Sequence, residues 1–455
     1  MHQAAEDEQP AAELGKRGTC KLSPENNQDK IDRAQLRRAL GLRETVALGV
    51  GGTIGGGIFV LLGAAAGQAG PAVLLSFALA FLASLLIALP YAELACRFPL
   101  AGGGYTFTRV VFGRGWGFLM GWGYWGAYIF ASGYVTLGFG GYLNIITGIP
   151  VVCGALALIT VSTAINLAGV RISGRVQTSI VLLAIGALLG FAVTGLPHVR
   201  LSNLLPFFPK GVSGVIAATL LAFLAFGGFD MVAAAGEEVS KPERNLPAAI
   251  LLTLGSVLGL YLLVTFVAVG VLPWNQLGVS HAPLSSAAAS FLGSVNGPKL
   301  IALAAVFTTA ATGNAVLVVS SRIVFAMARD GLLPKILSYV HKSTGVPWIA
   351  VILNGALLSL VALMGSVAFA AAVGGFLYVL NFVFPLAAFV ALRRRDGGVK
   401  PSFRTPLPQL VLPLAFVSTL TLLVASGKTG ILAGLTWLTI GLVIYWIARL
   451  PQKSF

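Results

Sequence analysis

Glycines crowd one apolar stretch of this chain in a way that predicts a broken helix. Six of the nine residues from Gly49 to Gly57 are glycine, inside an apolar run over 45–66. Glycine costs about 1 kcal/mol per residue against alanine in a helix interior. The stretch therefore predicts a membrane span broken at mid-depth, which is tolerated only where the freed backbone lines a cavity.

Such a break would place two helix ends of opposite partial charge at the same gap. A half-helix beginning near Gly56 would aim its free N–H groups at the gap and suit a carboxylate. A half-helix ending near Thr53 and Ile54 would offer carbonyl oxygens, which suit an ammonium group. An α-amino acid carries both charges on one carbon and fits this arrangement. The alternative is close helix packing through small residues spaced four apart.

A second glycine pair, Gly227-Gly228, interrupts the apolar run over 213–237. Interrupted spans at corresponding positions of two halves are the best sequence indicator of a transporter's binding site. The pair therefore favours a ligand site over packing alone.

Two carboxylates inside the predicted spans are candidates for function, because ionisable residues are costly in a bilayer. Asp230 follows the second break and would be a gate residue or proton acceptor, or else a fixed ion pair with an arginine or lysine of an inner loop. Glu93 lies near the inner face, where pairing with Arg97 or Arg322 is the expected role.

Hydroxyl groups and aromatic rings supply the remaining candidates. Thr308, Thr309 and Thr312, followed by Asn314, could bind a small cation through hard oxygen ligands. The alternative is that these hydroxyls bond their own helix backbone. Most of the aromatic residues of the third span are interpreted as packing and interface anchors: Trp116, Trp122, Tyr124, Trp125, Tyr128 and Phe130.

The composition defines the elements that must position these residues. The chain has 455 residues, 57% hydrophobic and 10% charged, and apolar runs long enough to cross a bilayer recur along it. The net charge of +15 lies in loops between these runs, which argues against nucleic-acid binding. Of 30 Lys and Arg residues, only Arg200, Lys210, Lys299 and Lys428 fall on the predicted outer side. Positive charge marks cytoplasmic loops, so both termini are expected inside.

These features predict an all-α membrane protein of twelve transmembrane helices. The expected units are a cytoplasmic tail (1–44), a first inverted repeat (45–196), a second one (213–391), two added helices (407–449) and a cytoplasmic C-terminus (450–455). Three scattered cysteines and four histidines in predicted loops or the tail indicate no disulfide framework and no metal site. Since no nucleophile–base pair is apparent either, no enzyme activity is expected.

Four motifs, appearing in order, carry a family resemblance. They are Gly51-Gly-Thr-Ile-Gly-Gly-Gly-Ile-Phe59; Pro90-Tyr-Ala-Glu-Leu to Arg97 with Pro99-Leu-Ala-Gly-Gly-Gly-Tyr105; Phe226-Gly-Gly-Phe-Asp230 with Gly236-Glu-Glu-Val-Ser-Lys-Pro-Glu-Arg-Asn-Leu-Pro247; and Ser321-Arg to Ala326-Met-Ala-Arg-Asp-Gly-Leu-Leu-Pro334. With them the chain resembles the amino acid–polyamine–organocation superfamily, most of all the bacterial relatives of cationic amino acid transporters.

The resemblance implies a five-plus-five inverted-repeat fold, with helices 1 and 6 broken, that works by alternating access. It places the substrate carboxylate at Gly55, Gly56 and Gly57, and an aromatic lid at Phe223 or Phe226, although some relatives have the aromatic at the position of Leu224. The full set of implied substrate-binding residues is Thr53, Ile54, Gly55, Gly56, Gly57, Ile58, Phe223, Ala225, Phe226 and Gly227.

The chain departs from the family pattern at one position that bears on energy coupling. Proton-coupled members that resemble this chain carry a lysine in the fifth span, where Ala184 stands here. Coupling through Asp230, sodium, exchange or plain facilitation all remain open. The expected function is transport of small, neutral amino acids across the plasma membrane, with polyamine or organic amine transport, or amino acid exchange, as the alternative. The expected partners are the amino acid and the lipid bilayer, with no cofactor beyond a coupling ion, H⁺ or Na⁺.

Overall fold

A computed structural model describes residues 13–14, 20–21, 40–99, 103–169, 174–234, 236, 238–293, 295–341, 344–395 and 401–449. Most of the predicted tail over 1–44 and all of the predicted C-terminus over 450–455 lie outside these ranges. In the described part of the tail, two short strands, Glu13–Leu14 and Cys20–Lys21, pair in antiparallel fashion.

Helices make up nearly all of the described chain, as the composition predicts. In order they are α1 (Leu42–Thr53), α2 (Gly56–Ala69), α3 (Val73–Arg97), α4 (Gly104–Phe112), α5 (Arg114–Thr147), α6 (Val151–Leu167), α7 (Gly174–Gly195), α8 (Gly211–Ala225), α9 (Phe229–Ala234), α10 (Pro242–Val271), α11 (Trp274–Val279), α12 (Pro283–Ala289), α13 (Asn296–Arg329), α14 (Trp348–Leu363), α15 (Val367–Arg395), α16 (Pro408–Ala425) and α17 (Gly427–Arg449). The short helices α4, α11 and α12 were not predicted.

Length and hydropathy mark most of these helices as membrane-crossing. Among the described residues, nine helical stretches are long and apolar enough to cross a bilayer, and the first of them, Leu42–Arg97, contains α1, α2 and α3. Two shorter apolar helices, α6 and α14, add to these. Helices α16 and α17 leave large apolar side chains such as Leu420 and Val443 exposed. Large exposed apolar side chains of this kind are typical of helices that face the lipid of a membrane.

The broken segments lie in the interior of the helix bundle. Helix α5 packs against α13, α15, α6 and α14, while α2 packs along α8 and α1 packs along α10. The residues around both breaks are buried, including Ile54, Ile58, Phe223 and Phe226. The surrounding long helices therefore hold the interrupted backbone away from lipid.

Proline usually marks a helix boundary, so a span is expected to begin at Pro247, but Pro247 does not begin its helix. Helix α10 starts at Pro242, and Pro247 lies within it. A proline at this position cannot donate to the carbonyl four residues earlier, which belongs to Glu243. The Cys96 thiol of α3 donates to that oxygen instead, at 3.2 Å. A tertiary contact thus satisfies the carbonyl and lets the helix extend beyond the sequence-predicted boundary.

Candidate functional site: two broken helices that meet

The predicted break in the first apolar segment is confirmed. Helix α1 ends at Thr53 and α2 begins at Gly56, with Ile54 and Gly55 between them. No side chain caps the first turn of α2, so its N–H groups are not satisfied by a capping residue. The Thr53 hydroxyl bonds back to the Gly49 carbonyl at 2.8 Å and closes the last turn of α1.

The second break is confirmed as well. Helix α8 ends at Ala225 and α9 begins at Phe229. Gly228 has φ +126°, a conformation that L side chains rarely adopt. Gly228 therefore meets a backbone requirement of the break, since this φ lies outside the helical range.

The two breaks touch through backbone atoms. A methyl group on Gly57 would lie 2.7 Å from the Ala225 Cα atom. A methyl group on Gly228 would lie 2.6 Å from the Gly52 carbonyl carbon. Each glycine thus permits a contact that any larger residue would prevent. The amino end of α2 and the carboxyl ends of α1 and α8 consequently lie in one small region.

Helices α5 and α13 form the walls of this region. A methyl group on Gly56 would lie 3.0 Å from a methyl group of Val135, which belongs to α5. A methyl group on Gly55 would lie 2.6 Å from the Thr312 hydroxyl oxygen of α13. Glycine at both positions lets α5 and α13 pack closely against the amino end of α2.

A tyrosine that the sequence analysis missed connects the two breaks. Tyr261, in the unbroken helix α10, lies within hydrogen-bonding distance of the Thr53 carbonyl, at 2.9 Å, and of the Ala225 carbonyl, at 3.2 Å. These are the last residues of α1 and α8. A tyrosine in the middle of an apolar span was the available signal, because a buried tyrosine hydroxyl requires a partner.

Asp230 is held by tyrosines. Tyr124 donates to one carboxylate oxygen, while Tyr378, at 2.8 Å, and the Gly228 N–H, at 3.2 Å, donate to the other. Of the ion pairs between described residues, none includes Asp230. Hydroxyl and amide donors occupy the Asp230 oxygens, where the predicted alternative had a cation.

The third-span aromatics, most of which were interpreted as anchors, include one packing pair and one polar pair. Trp122 and Trp437 exchange indole-to-carbonyl bonds of 2.7 and 3.0 Å, which pack α5 against α17. Tyr124 and Tyr128 instead form a hydroxyl pair, 3.0 Å apart, that ends at Asp230. Their spacing of four residues on one helix face was the available signal.

Glu93 is the fully buried centre of a polar cluster. It pairs with Arg97 at 2.8 Å, as predicted, and with Arg393 at 2.7 Å, which was not predicted. The Thr405 N–H donates to it at 2.7 Å. Of the ion pairs between described residues, none joins Glu93 to Arg322, the other predicted partner. The cluster joins the ends of α3 and α15 to the segment before α16, so Glu93 has a structural role.

The threonines of α13 bond their own helix. Thr308 and Thr309 donate to carbonyls four residues earlier, at 2.7 and 2.6 Å. Thr312 donates to the Thr308 carbonyl at 2.9 Å, and Asn314 accepts a bond from Asn166. These contacts match the simpler of the two expectations. Among the described residues, no group of three or more metal-binding side chains occurs.

The two candidate lid aromatics occupy different environments. Phe226 packs against Phe77 and Tyr261, with ring centroids 6.3 and 5.3 Å away. Phe223 contacts Tyr378 and Phe382, each with ring centroids 6.0 Å away. Phe223 thus adjoins the tyrosine that binds Asp230, whereas Phe226 packs toward α3 and α10. Leu224, the third lid candidate, is also buried.

The position expected for a coupling lysine is apolar here. Ala184 is fully buried in α7. One turn earlier, Val181 of the same helix packs close to α1, since a methyl group on Gly51 would lie 2.8 Å from a Val181 methyl group. Small apolar side chains therefore occupy the face that α7 presents to α1.

Broken apolar helices that meet inside a bundle of membrane-crossing helices define a polytopic transport protein. Residues 40–448 match the amino acid permease family, and the chain belongs to that family. It is 33% identical over 437 residues to the branched-chain amino acid permease BcaP of Bacillus subtilis, covering 90% of this chain and 93% of the relative. It is 32% identical over 436 residues to the methylthioribose transporter of the same organism, with the same coverage.

A human relative belongs to the cationic amino acid transporters, the branch that the sequence motifs resemble. The chain is 34% identical over 373 residues to human cationic amino acid transporter 4, covering 74% of this chain and 57% of the relative. The expected superfamily is therefore confirmed, and amino acid transport is the function that it carries.

Proposed function

We propose that this protein is a secondary transporter that moves small, neutral amino acids across the plasma membrane by alternating access. One observation carries the proposal: the uncapped amino end of α2 lies beside the carboxyl ends of α1 and α8. A positive helix end suits a carboxylate, and terminal carbonyls suit an ammonium group. The paired breaks thus offer both halves of a zwitterion site.

In this proposal twelve spans form two inverted repeats of five and two added helices. The first repeat is α1–α2 with α3, α5, α6 and α7, and the second is α8–α9 with α10, α13, α14 and α15. Each repeat then begins with its broken span, as expected for inverted-repeat transporters. The distribution of Lys and Arg supports cytoplasmic positions for both termini.

The substrate carboxylate lies at the N–H groups of Gly55, Gly56 and Gly57, and the ammonium group at the carbonyls that end α1 and α8. Neutral substrates are favoured because the two oxygens of Asp230 already accept three hydrogen bonds. A cationic side chain would have to compete with those donors for the carboxylate. Similarity to BcaP, which is named a branched-chain amino acid permease, supports neutral substrates.

Asp230 is the proposed gate residue. Its bonds to Tyr124 and Tyr378 connect α9 with α5 and α15 on the side of the break that α9 occupies. Breaking and remaking these bonds would open and close that side. Thr308, Thr309 and Thr312 are assigned helix-internal bonding, and Ala184 supplies no proton acceptor.

Uptake by proteoliposomes tests this proposal. Purified protein would be given a panel of labelled amino acids, with and without pH and sodium gradients and with unlabelled amino acid inside. Saturable uptake or exchange of small neutral amino acids is expected. The absence of amino acid uptake or exchange under every gradient would overturn the proposal.

A further inference from the structure

Tyr261 connects three helices at the point where two of them are interrupted. It is fully buried in α10, and its ring packs against Phe226 and Phe77 at centroid distances of 5.3 and 5.9 Å. Its hydroxyl reaches the Thr53 carbonyl at 2.9 Å and the Ala225 carbonyl at 3.2 Å. The ring contacts fix the hydroxyl in place.

The chemistry of the three oxygens limits what this contact can do. A tyrosine hydroxyl has one proton, whereas each carbonyl oxygen has two lone pairs. Tyr261 therefore shares a single donor between Thr53 and Ala225 and cannot saturate either oxygen. Each carbonyl oxygen therefore keeps at least one free lone pair, and the hydroxyl holds the two oxygens close enough for one further donor to reach both.

These two carbonyls are also the ends of helices whose next turn is missing. Helix α1 stops at Thr53 and α8 stops at Ala225, so both oxygens carry the partial negative charge of a helix carboxyl end. Without a shared donor, two such ends would repel each other in a region that excludes water. A donor between them offsets this repulsion.

We propose that Tyr261 is a positioning residue that ties the carboxyl ends of α1 and α8 together and so sets the acceptor pair that receives the substrate ammonium group. The ammonium part of this inference rests on the proposed function, whereas the tie between the two helix ends does not. Tyr261 acts through the carbonyls and need not touch the substrate.

The test compares Tyr261→Phe with a matched variant, Tyr142→Phe. Both tyrosines are fully buried, and both hydroxyls contact backbone carbonyls of the broken spans. Tyr142 bonds to Phe59 within α2, at 2.6 Å, away from the helix ends. Each substitution removes one hydroxyl and keeps the ring. Any loss of stability that comes only from losing a buried donor should therefore be similar in the two variants.

Hydrogen–deuterium exchange provides a readout that needs no substrate. Peptides that cover 50–57 and 222–229 should exchange faster in Tyr261→Phe than in the wild type and in Tyr142→Phe. Equal exchange of these peptides in Tyr261→Phe and the wild type would overturn the proposal that Tyr261 holds the two helix ends together. This comparison decides the matter even if the wild type transports no amino acid, a result that would reject the proposed function alone.

Transport kinetics then test whether the two carbonyls receive the substrate ammonium group. In proteoliposomes, Tyr261→Phe should raise KM for the best-transported amino acid about tenfold, the scale of one hydrogen bond near a charged group. Tyr142→Phe should leave KM unchanged. A merely structural role would lower the amount of active protein and therefore Vmax without changing KM. A wild-type KM in Tyr261→Phe would overturn the assignment of the carbonyl pair to the ammonium group.

Discussion

Gly228 packs against Gly52 so closely that a methyl group on Gly228 would lie 2.6 Å from the Gly52 carbonyl carbon. Gly52 belongs to α1, and Gly228 precedes α9, so this contact joins the two breaks across 176 residues of chain, the difference between the two residue numbers. A second junction lies at the other end of α1, where the Leu40 N–H donates to the Glu238 carbonyl and the Ser240 N–H donates to the Leu40 carbonyl. The two half-helices are therefore fastened together at two places.

Gly228→Ala should abolish transport. The methyl group would meet the Gly52 backbone, and φ +126° strains any residue with a Cβ atom. Gly255→Ala is the control, since a methyl group there meets no atom within 4 Å in the middle of α10. Initial uptake per amount of membrane protein measures both. Wild-type uptake by Gly228→Ala would mean that this contact is not required.

Substitutions in the first turn of α2 should follow a graded order. A methyl group on Gly57 would meet the Ala225 backbone at 2.7 Å, whereas one on Gly56 would meet a movable Val135 methyl at 3.0 Å. Gly57→Ala should therefore reduce uptake far more than Gly56→Ala. Gly56→Leu should abolish uptake while the protein still reaches the membrane. The opposite order between the two alanine variants would contradict the described contacts.

Asp230→Asn should slow transport without weakening substrate binding. The substitution removes acceptor capacity for Tyr124 and Tyr378, which connect α9 with α5 and α15. A gate residue affects the rate of conformational exchange, so we expect Vmax to fall at least about tenfold while KM stays within about threefold. Uptake measured over a range of substrate concentrations separates the two constants. A raised KM at full Vmax would place Asp230 in the binding site instead.

Glu93→Ala should destabilise the protein. Two arginines, Arg97 and Arg393, would lose their shared, fully buried partner, and breaking a buried ion pair costs about 3–5 kcal/mol. The melting temperature of the purified protein in detergent should fall clearly. Glu44→Ala removes an exposed carboxylate and serves as the control. An unchanged melting temperature for Glu93→Ala would show that the cluster contributes little.

The positions of both breaks could be predicted from the sequence because they depend on local properties. Glycine disfavours a helix interior, so the clusters at Gly55 and Gly228 marked candidate breaks. Glycine density alone does not suffice, because the Gly374-Gly375 pair lies inside the unbroken helix α15. The surrounding hydropathy placed these breaks in membrane-crossing segments, and the structure confirms that their residues are buried.

The partners of the polar residues could not be predicted, because they come from distant parts of the chain. Asp230 was identified as unusual, yet its contacts with Tyr124 and Tyr378 span 106 and 148 residues. The Tyr261 contact with Thr53 spans 208 residues. Only the packing of α5, α10 and α15 around the breaks brings these hydroxyl groups into place.

Competition by single-charge analogues tests the central claim most directly, namely that the paired breaks recognise both charges of an amino acid. Uptake of the best-transported amino acid would be measured against three inhibitors with the same side chain: the amino acid, the amine without the carboxylate, and the acid without the ammonium group. We predict that each single-charge analogue inhibits at least about tenfold more weakly, since each lacks a charge-assisted set of hydrogen bonds. Equal inhibition by the amine or by the acid would contradict a zwitterion site at the breaks.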